Sequence, residues 1–234
     1  MADIILKAFN ETVFMTFYST IFSVIFGFIL AVILTISAED GLRPNKVVYK
    51  ILDVIINILR SFPFIILMVF IIPLTRAIVG TSIGKEAAIV PLTFAAAPFV
   101  ARIIESSLRE VDKGVIDAAP FVARIIESSL KEVDPGVIEA AKSFGASDFQ
   151  IVFKVMLKEA VPSIVSGLTL TIISIIGYSA MAGTVGGGGL GYLAVSYGYQ
   201  RFQKDVMIIT VIILIIIVQA LQMLGNYLYK KLNK

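Results

Sequence analysis

Residues 12–38 form 27 consecutive positions without a charge, dominated by Phe, Ile, Val and Leu. A run of about 20 such residues already crosses the hydrocarbon layer as a helix, so this one spans it with some tilt. A secretory leader is the competing reading, but the preceding flank sets only Lys7 against Asp3 and Glu11. The apolar stretch also exceeds the 7–15 residues usual in such leaders. Residues 206–229 repeat the pattern with 24 uncharged positions, rich in Ile and Val. Lipid offers backbone groups no hydrogen bonds, so apolar spans of this length fold as helices. The expected class is therefore an all-α polytopic membrane protein.

Composition agrees: 58% of the 234 residues are hydrophobic and 16% charged, where soluble domains have about 45–50% and 25%. There is no Cys and no His, which removes disulfides, thiolate nucleophiles, imidazole metal ligands and the commonest general base. Neither catalytic nor metal-binding residues are expected. A dispersed formal charge of +3 gives no argument for nucleic acid as a partner.

Five spans are expected, at about 12–38, 47–75, 86–105, 162–182 and 206–227, in a single unit covering 1–234. The second contains Arg60 and Pro63, with Pro73 near its end; the third contains Pro91 and Pro98. A glycine run from Gly183 ends the fourth and reads as a flexible outer loop. An odd number of spans puts the termini on opposite sides, so the Lys/Arg balance decides the orientation. Fourteen Lys/Arg lie in the loop at 38–50, the segment 102–158 and the C-terminal tail, against five on the other side. The C-terminus is expected in the cytoplasm and the N-terminus outside.

Residues 97–118, APFVARIIESSLREVDKGVIDA, recur at 119–140 as APFVARIIESSLKEVDPGVIEA. Two copies are too few for a solenoid. Val100, Ile104, Leu108 and Val111 follow helical spacing in the first copy, with Arg102, Glu105 and Arg109 on the opposite, polar side. The first copy is expected to continue the third span. Were the second to do so, the charges of the first would lie at or beyond the bilayer, costing about 2.5–3.5 kcal/mol each near a helix centre.

After the repeat, Glu139-Ala140-Ala141, three residues, Gly145, nine residues and then Val155-Met156-Leu157 resemble the EAA loop of ABC importer permeases. Val155 stands for the usual Ile and Lys158 for the usual Pro, with Pro162 four residues later. Ala140, Ala141 and Gly145 are small enough for a short helix to sit close in a groove on another protein, and Glu139 near a helix start is favoured by the dipole. The alternative is an ordinary cytoplasmic helix-turn-helix. The resemblance extends further: ILRSFPFIILMVFIIPLTRAIVGTSIG, AAIVPLTFAAAPFVAR and GYSAMAGTVGGGGLG look like the methionine-import ABC permease subfamily.

What the resemblance implies is a homodimer with five helices per subunit, a coupling helix between helices three and four, two separate ATPase subunits, and an extracytoplasmic substrate-binding lipoprotein. The implied place is the bacterial inner membrane, and the implied substrate is methionine, with its D-isomer and close analogues. Glu139, Ala140, Ala141, Gly145, Val155 and Leu157 become the ATPase-coupling candidates. ATP belongs to the partner, because the chain has no GxxxxGK[ST] loop, and none is needed as its own cofactor. Gly186, Gly188 and Gly191 satisfy GxGxxG, but without a preceding strand or a later acidic residue.

An ionisable residue inside a span is by default a functional-site candidate. Arg60, beside Ser61 and Pro63, can attract a carboxylate, tie two helices together, or snorkel to the surface. Tyr178, Ser179 and Met181 are placed on the translocation path or its gate, with Gly177, Ala180, Ala182 and Gly183 allowing close approach across a dimer axis; ordinary helix packing is the alternative. Competing classes are a permease for another amino acid or small solute, a channel or membrane scaffold, and an intramembrane enzyme, which the lack of His and Cys disfavours.

Overall fold

The computed structural model describes residues 2–39, 41–109 and 157–232. These form α1 (Ala2–Ser37), α2 (Lys46–Ser61), α3 (Phe64–Phe70), α4 (Ile72–Val79), α5 (Lys85–Arg109), α6 (Leu157–Gly183), α7 (Gly189–Tyr192), a π-helical segment (Leu193–Tyr199) and α8 (Lys204–Leu232). No strand occurs among the described residues. Four helices are long and apolar enough to cross a membrane, or five if α2 and α3 count as one bent span. The chain is all-α, as its apolar runs require. Helix α5 runs unbroken through residues 97–109 of the first repeat copy.

The packing inverts the pattern of a water-soluble bundle. Along α1 most buried positions are small, among them Ala8, Thr12, Thr16, Ser19, Ser23, Gly27 and Ala31, with Met15 and Leu34 the large exceptions, while Phe22, Ile25, Phe26 and Ile29 point outward. Lipid gives apolar side chains no reason to hide, so small residues that let backbones approach take the interior. A Cβ on Gly27 would lie 2.6 Å from Val100 Cβ and 2.8 Å from the Ala97 carbonyl oxygen, which marks the crossing of α1 and α5. The hydroxyls of Thr16 and Ser19 find no hydrogen-bond partner among the described residues; size is what these positions supply. Helix α5 is the hub, with 72% of its most apolar window buried, against 11% for α8.

The expected second span, 47–75, is not one rod. Asn45 caps α2 by accepting from the Val47 and Val48 amides, both at 3.1 Å. Pro63 then forbids a helical conformation at Phe62, which is extended at φ −70°, ψ 127°. The axis turns by 107° between α2 and α3. Gly80, left-handed at φ +82°, ends α4.

The glycine run is no loose loop. A Cβ on Gly191 would sit 2.1 Å from Ala180 Cα, and one on Gly183 would sit 2.3 Å from the Tyr192 amide nitrogen. Ala180, Ala182 and Gly183 therefore serve close packing of α6 on α7 within the chain. Only Gly177 of the expected dimer-contact residues faces open space. The Gly189 amide donates to Glu11 Oε2 and the Leu190 amide to Thr12 Oγ1, each at 2.8 Å. Helix α1 thus satisfies the start of α7 with a carboxylate and a hydroxyl.

Candidate functional site

The bend at Pro63 brings the second span's candidates to the sixth helix. Arg60 lies in the last turn of α2, where the helix dipole favours a cation. Its guanidinium carbon stands 5.1 Å from the centre of the Phe99 ring on α5, within cation–π range. Phe99 and Tyr178 in turn line one cavity of about 220 Å³, closed by Ala96, Ile103, Thr171 and Ser174. On its other side Tyr178 stacks on Phe64, the first residue of α3, at 4.8 Å and 17°. Arg60, Pro63 and Tyr178 are thereby gathered around two phenylalanines that the sequence reading did not single out. The arrangement can offer a cation and aromatic faces to a ligand; it holds no nucleophile and base in reach of one another.

The other candidates diverge. Ser61 is exposed and donates to the Asn57 carbonyl of its own helix at 2.8 Å, on the concave side of the bend. Ser179 is buried and donates to the Ile176 carbonyl at 2.7 Å, so it faces its own helix. Met181 is 48% exposed and shares the outer face of α6 with Ser166, Leu170, Ser174 and Gly177. That face is small and partly polar, unlike the Ile and Val outer face of α8, where Ile208, Ile212, Ile215 and Ile216 are exposed. The coupling candidates Glu139, Ala140, Ala141, Gly145 and Val155 lie outside the described residues. Leu157 begins α6.

A polar network was missed altogether. Glu105, only 2% exposed, accepts from Arg102 Nη1 at 2.7 Å and from the Tyr49 hydroxyl at 3.1 Å. The other guanidinium nitrogen of Arg102 pairs with Asp53 of α2. Asn57 Nδ2 closes the loop by donating to Asp53 Oδ2 at 3.2 Å. The polar side of the repeat helix that carries Arg102 and Glu105 is therefore a seam that joins α2 to α5. Asp53 carried the usable signal: it is a carboxylate inside an expected span, and such groups seek a partner.

The described residues thus combine a second span bent by 107° with a buried central α5. The chain matches the sequence profile of the binding-protein-dependent transport system inner membrane component family over residues 23–120 and 114–234. The two stretches overlap across the junction of the repeat copies. A probable D-methionine transport system permease protein MetI from Vibrio cholerae serotype O1 is 43% identical over 232 residues, covering 99% of this chain and 93% of that one. The methionine import system permease protein MetP from Bacillus subtilis strain 168 is 38% identical over 201 residues, covering 86% and 81%. Among solved structures, a chain of the MetNI methionine ABC transporter in an inward-facing conformation superposes with a TM-score of 0.87 at 39% identity, covering 100% of this chain and 98% of that one.

Proposed function

Because the chain belongs to the family of binding-protein-dependent transport system inner membrane components, we propose that it is the permease subunit of an ABC importer that moves methionine, including its D-isomer, into the cytoplasm. The observation that carries this reading is likeness without a gap in coverage: a named methionine permease aligns with 99% of the chain, and the MetNI permease fold with all of it. The α6 face that Ser166, Ser174 and Gly177 share with Leu170 and Met181 supports a second copy across a central path, since its small and polar residues are poor lipid contacts. Arg60 and Tyr178 are the residues assigned to the path, with Phe99 between them.

In this reading two copies assemble with two ATPase subunits and receive substrate from an extracytoplasmic lipoprotein. The N-terminus lies outside and the C-terminus inside, following the Lys/Arg balance. ATP is held by the partner, and no bond is made or broken in this chain. Nucleotide drives reorientation only because the partner binds the two permease states with different affinity, and Glu139 to Gly145 are the contacts through which that difference acts. The test is reconstitution with the neighbouring ATPase and binding protein in liposomes. Methionine-dependent ATP hydrolysis with methionine uptake is expected; hydrolysis indifferent to methionine but driven by another amino acid would reassign the substrate.

A further inference from the structure

On the face away from Tyr178, α1, α4 and α5 enclose a groove of about 720 Å³ whose walls include Phe22, Phe26, Leu59, Val79, Phe94 and Pro98. Its lining is apolar apart from Thr93, which is buried, and from one end, where Glu86 of the first turn of α5 stands beside Lys85. The Lys85 ammonium lies 3.8 Å from Glu86 Oε1 and 4.6 Å from the centre of the Phe14 ring of α1. From Glu86 to Pro98 the helix rises about 18 Å, close to the roughly 15 Å of one leaflet's hydrocarbon. The groove exists because the turn at Phe62–Pro63 folds α4 back beside α5 and leaves Leu59 as its floor.

We infer that this groove holds one acyl chain of a phospholipid, with a zwitterionic headgroup whose phosphate meets Lys85 and whose ammonium meets Glu86. Three features select this occupant: a channel apolar along its length apart from Thr93 and opening among outward-facing residues of a membrane span, a length matched to one leaflet, and charges confined to one end, Glu86 in the lining and Lys85 beside it. A path for a polar solute would need polar groups along its length, and a second copy of the chain has the small, partly polar α6 face available instead.

The chain has no Trp, so single tryptophans report without background. Phe26→Trp places one on the groove rim and Ile212→Trp one on the outer face of α8, at positions 51% and 50% exposed. Each full-length variant is reconstituted in vesicles containing phosphatidylethanolamine or phosphatidylglycerol with dibrominated acyl chains. Quenching of Phe26→Trp is expected to favour brominated phosphatidylethanolamine by about fivefold in apparent affinity, as one charge contact at the surface supplies. Ile212→Trp should show no preference, and Glu86→Gln in the Phe26→Trp background should abolish it. Equal quenching at both sites would reduce the groove to ordinary lipid contact, and no quenching at Phe26→Trp would mean that protein covers it; either overturns the inference. Mass spectrometry of the unmutated chain in detergent gives an independent readout, with one retained phosphatidylethanolamine per chain expected and none contradicting it.

Discussion

Arg102 bridges two carboxylates on different helices, and its energetic weight follows from burial. With Glu105 nearly inaccessible, removing Arg102 takes a cation from a carboxylate that water cannot reach, although the Tyr49 hydroxyl still donates to it. Breaking a buried pair in this way costs about 3–5 kcal/mol. Arg102→Leu is therefore expected to lower the melting temperature markedly in detergent, whereas Lys46→Ala, which breaks only the exposed pair with Glu39 at 2.9 Å, should shift it little. Thermal denaturation of the two variants side by side checks the ranking. Arg60 differs, since its partner is a ring rather than an anion. Phe99→Leu removes the aromatic face and keeps the volume approximately. Arg60 is exposed, and a cation–π contact at such a site is worth about 0.5–1 kcal/mol, a change of roughly two- to fivefold, so substrate uptake by Phe99→Leu should fall by about that factor with assembly intact. Unchanged uptake would remove Arg60 and Phe99 from the path.

Helices meet here through what they lack. Gly27, Gly183 and Gly191 each leave a space that a single methyl group would fill past van der Waals contact. Gly27→Leu should push α1 off α5 and cost at least the 1–3 kcal/mol typical of overpacking, while Gly177→Ala, with nothing within 4 Å, should not destabilise the chain and should gain up to about 1 kcal/mol from helix propensity. Unfolding curves in matched detergent distinguish these outcomes. The glycine segment after α6 illustrates the same point from the sequence side. Read from composition, Gly183 to Gly191 is a loop; in three dimensions it is a junction, because the backbone amides of Gly189 and Leu190 are claimed by Glu11 and Thr12 of a helix 178 residues away in the chain.

Across the whole molecule, a duplicated unit stands in the sequence between the third span and the Glu139-Ala140-Ala141 motif. Deleting residues 97–118 joins Ala96 to Ala119 and restores one copy, with Arg124 and Glu127 in the sequence positions of Arg102 and Glu105 and with Glu139-Ala140-Ala141 intact. This variant is expected to assemble with its ATPase and to support uptake at least equal to the parent. Loss of assembly would show that the extra unit has become necessary. Reporter fusions after Gly80 and after Lys142 test the orientation: the first should report the outside and the second the cytoplasm.

The class of fold, the number of apolar runs and the family were legible in the sequence because they rest on length, hydropathy and motif spacing, which are properties of the chain read one residue after another. Arg60, Pro63 and Tyr178 could be named from it, since a charge, a proline or an aromatic in a span stands out against Ile and Val. Their meeting could not be read, because it depends on a 107° turn and on Phe99 and Phe64, which look like any other apolar residue until a neighbour arrives. The Arg102–Glu105–Asp53 seam could not be read for the converse reason: helical periodicity places charges on one side of α5, but only the position of α2 decides whether that side meets water or another helix. Sequence specifies which groups each surface carries, and packing decides which surfaces touch.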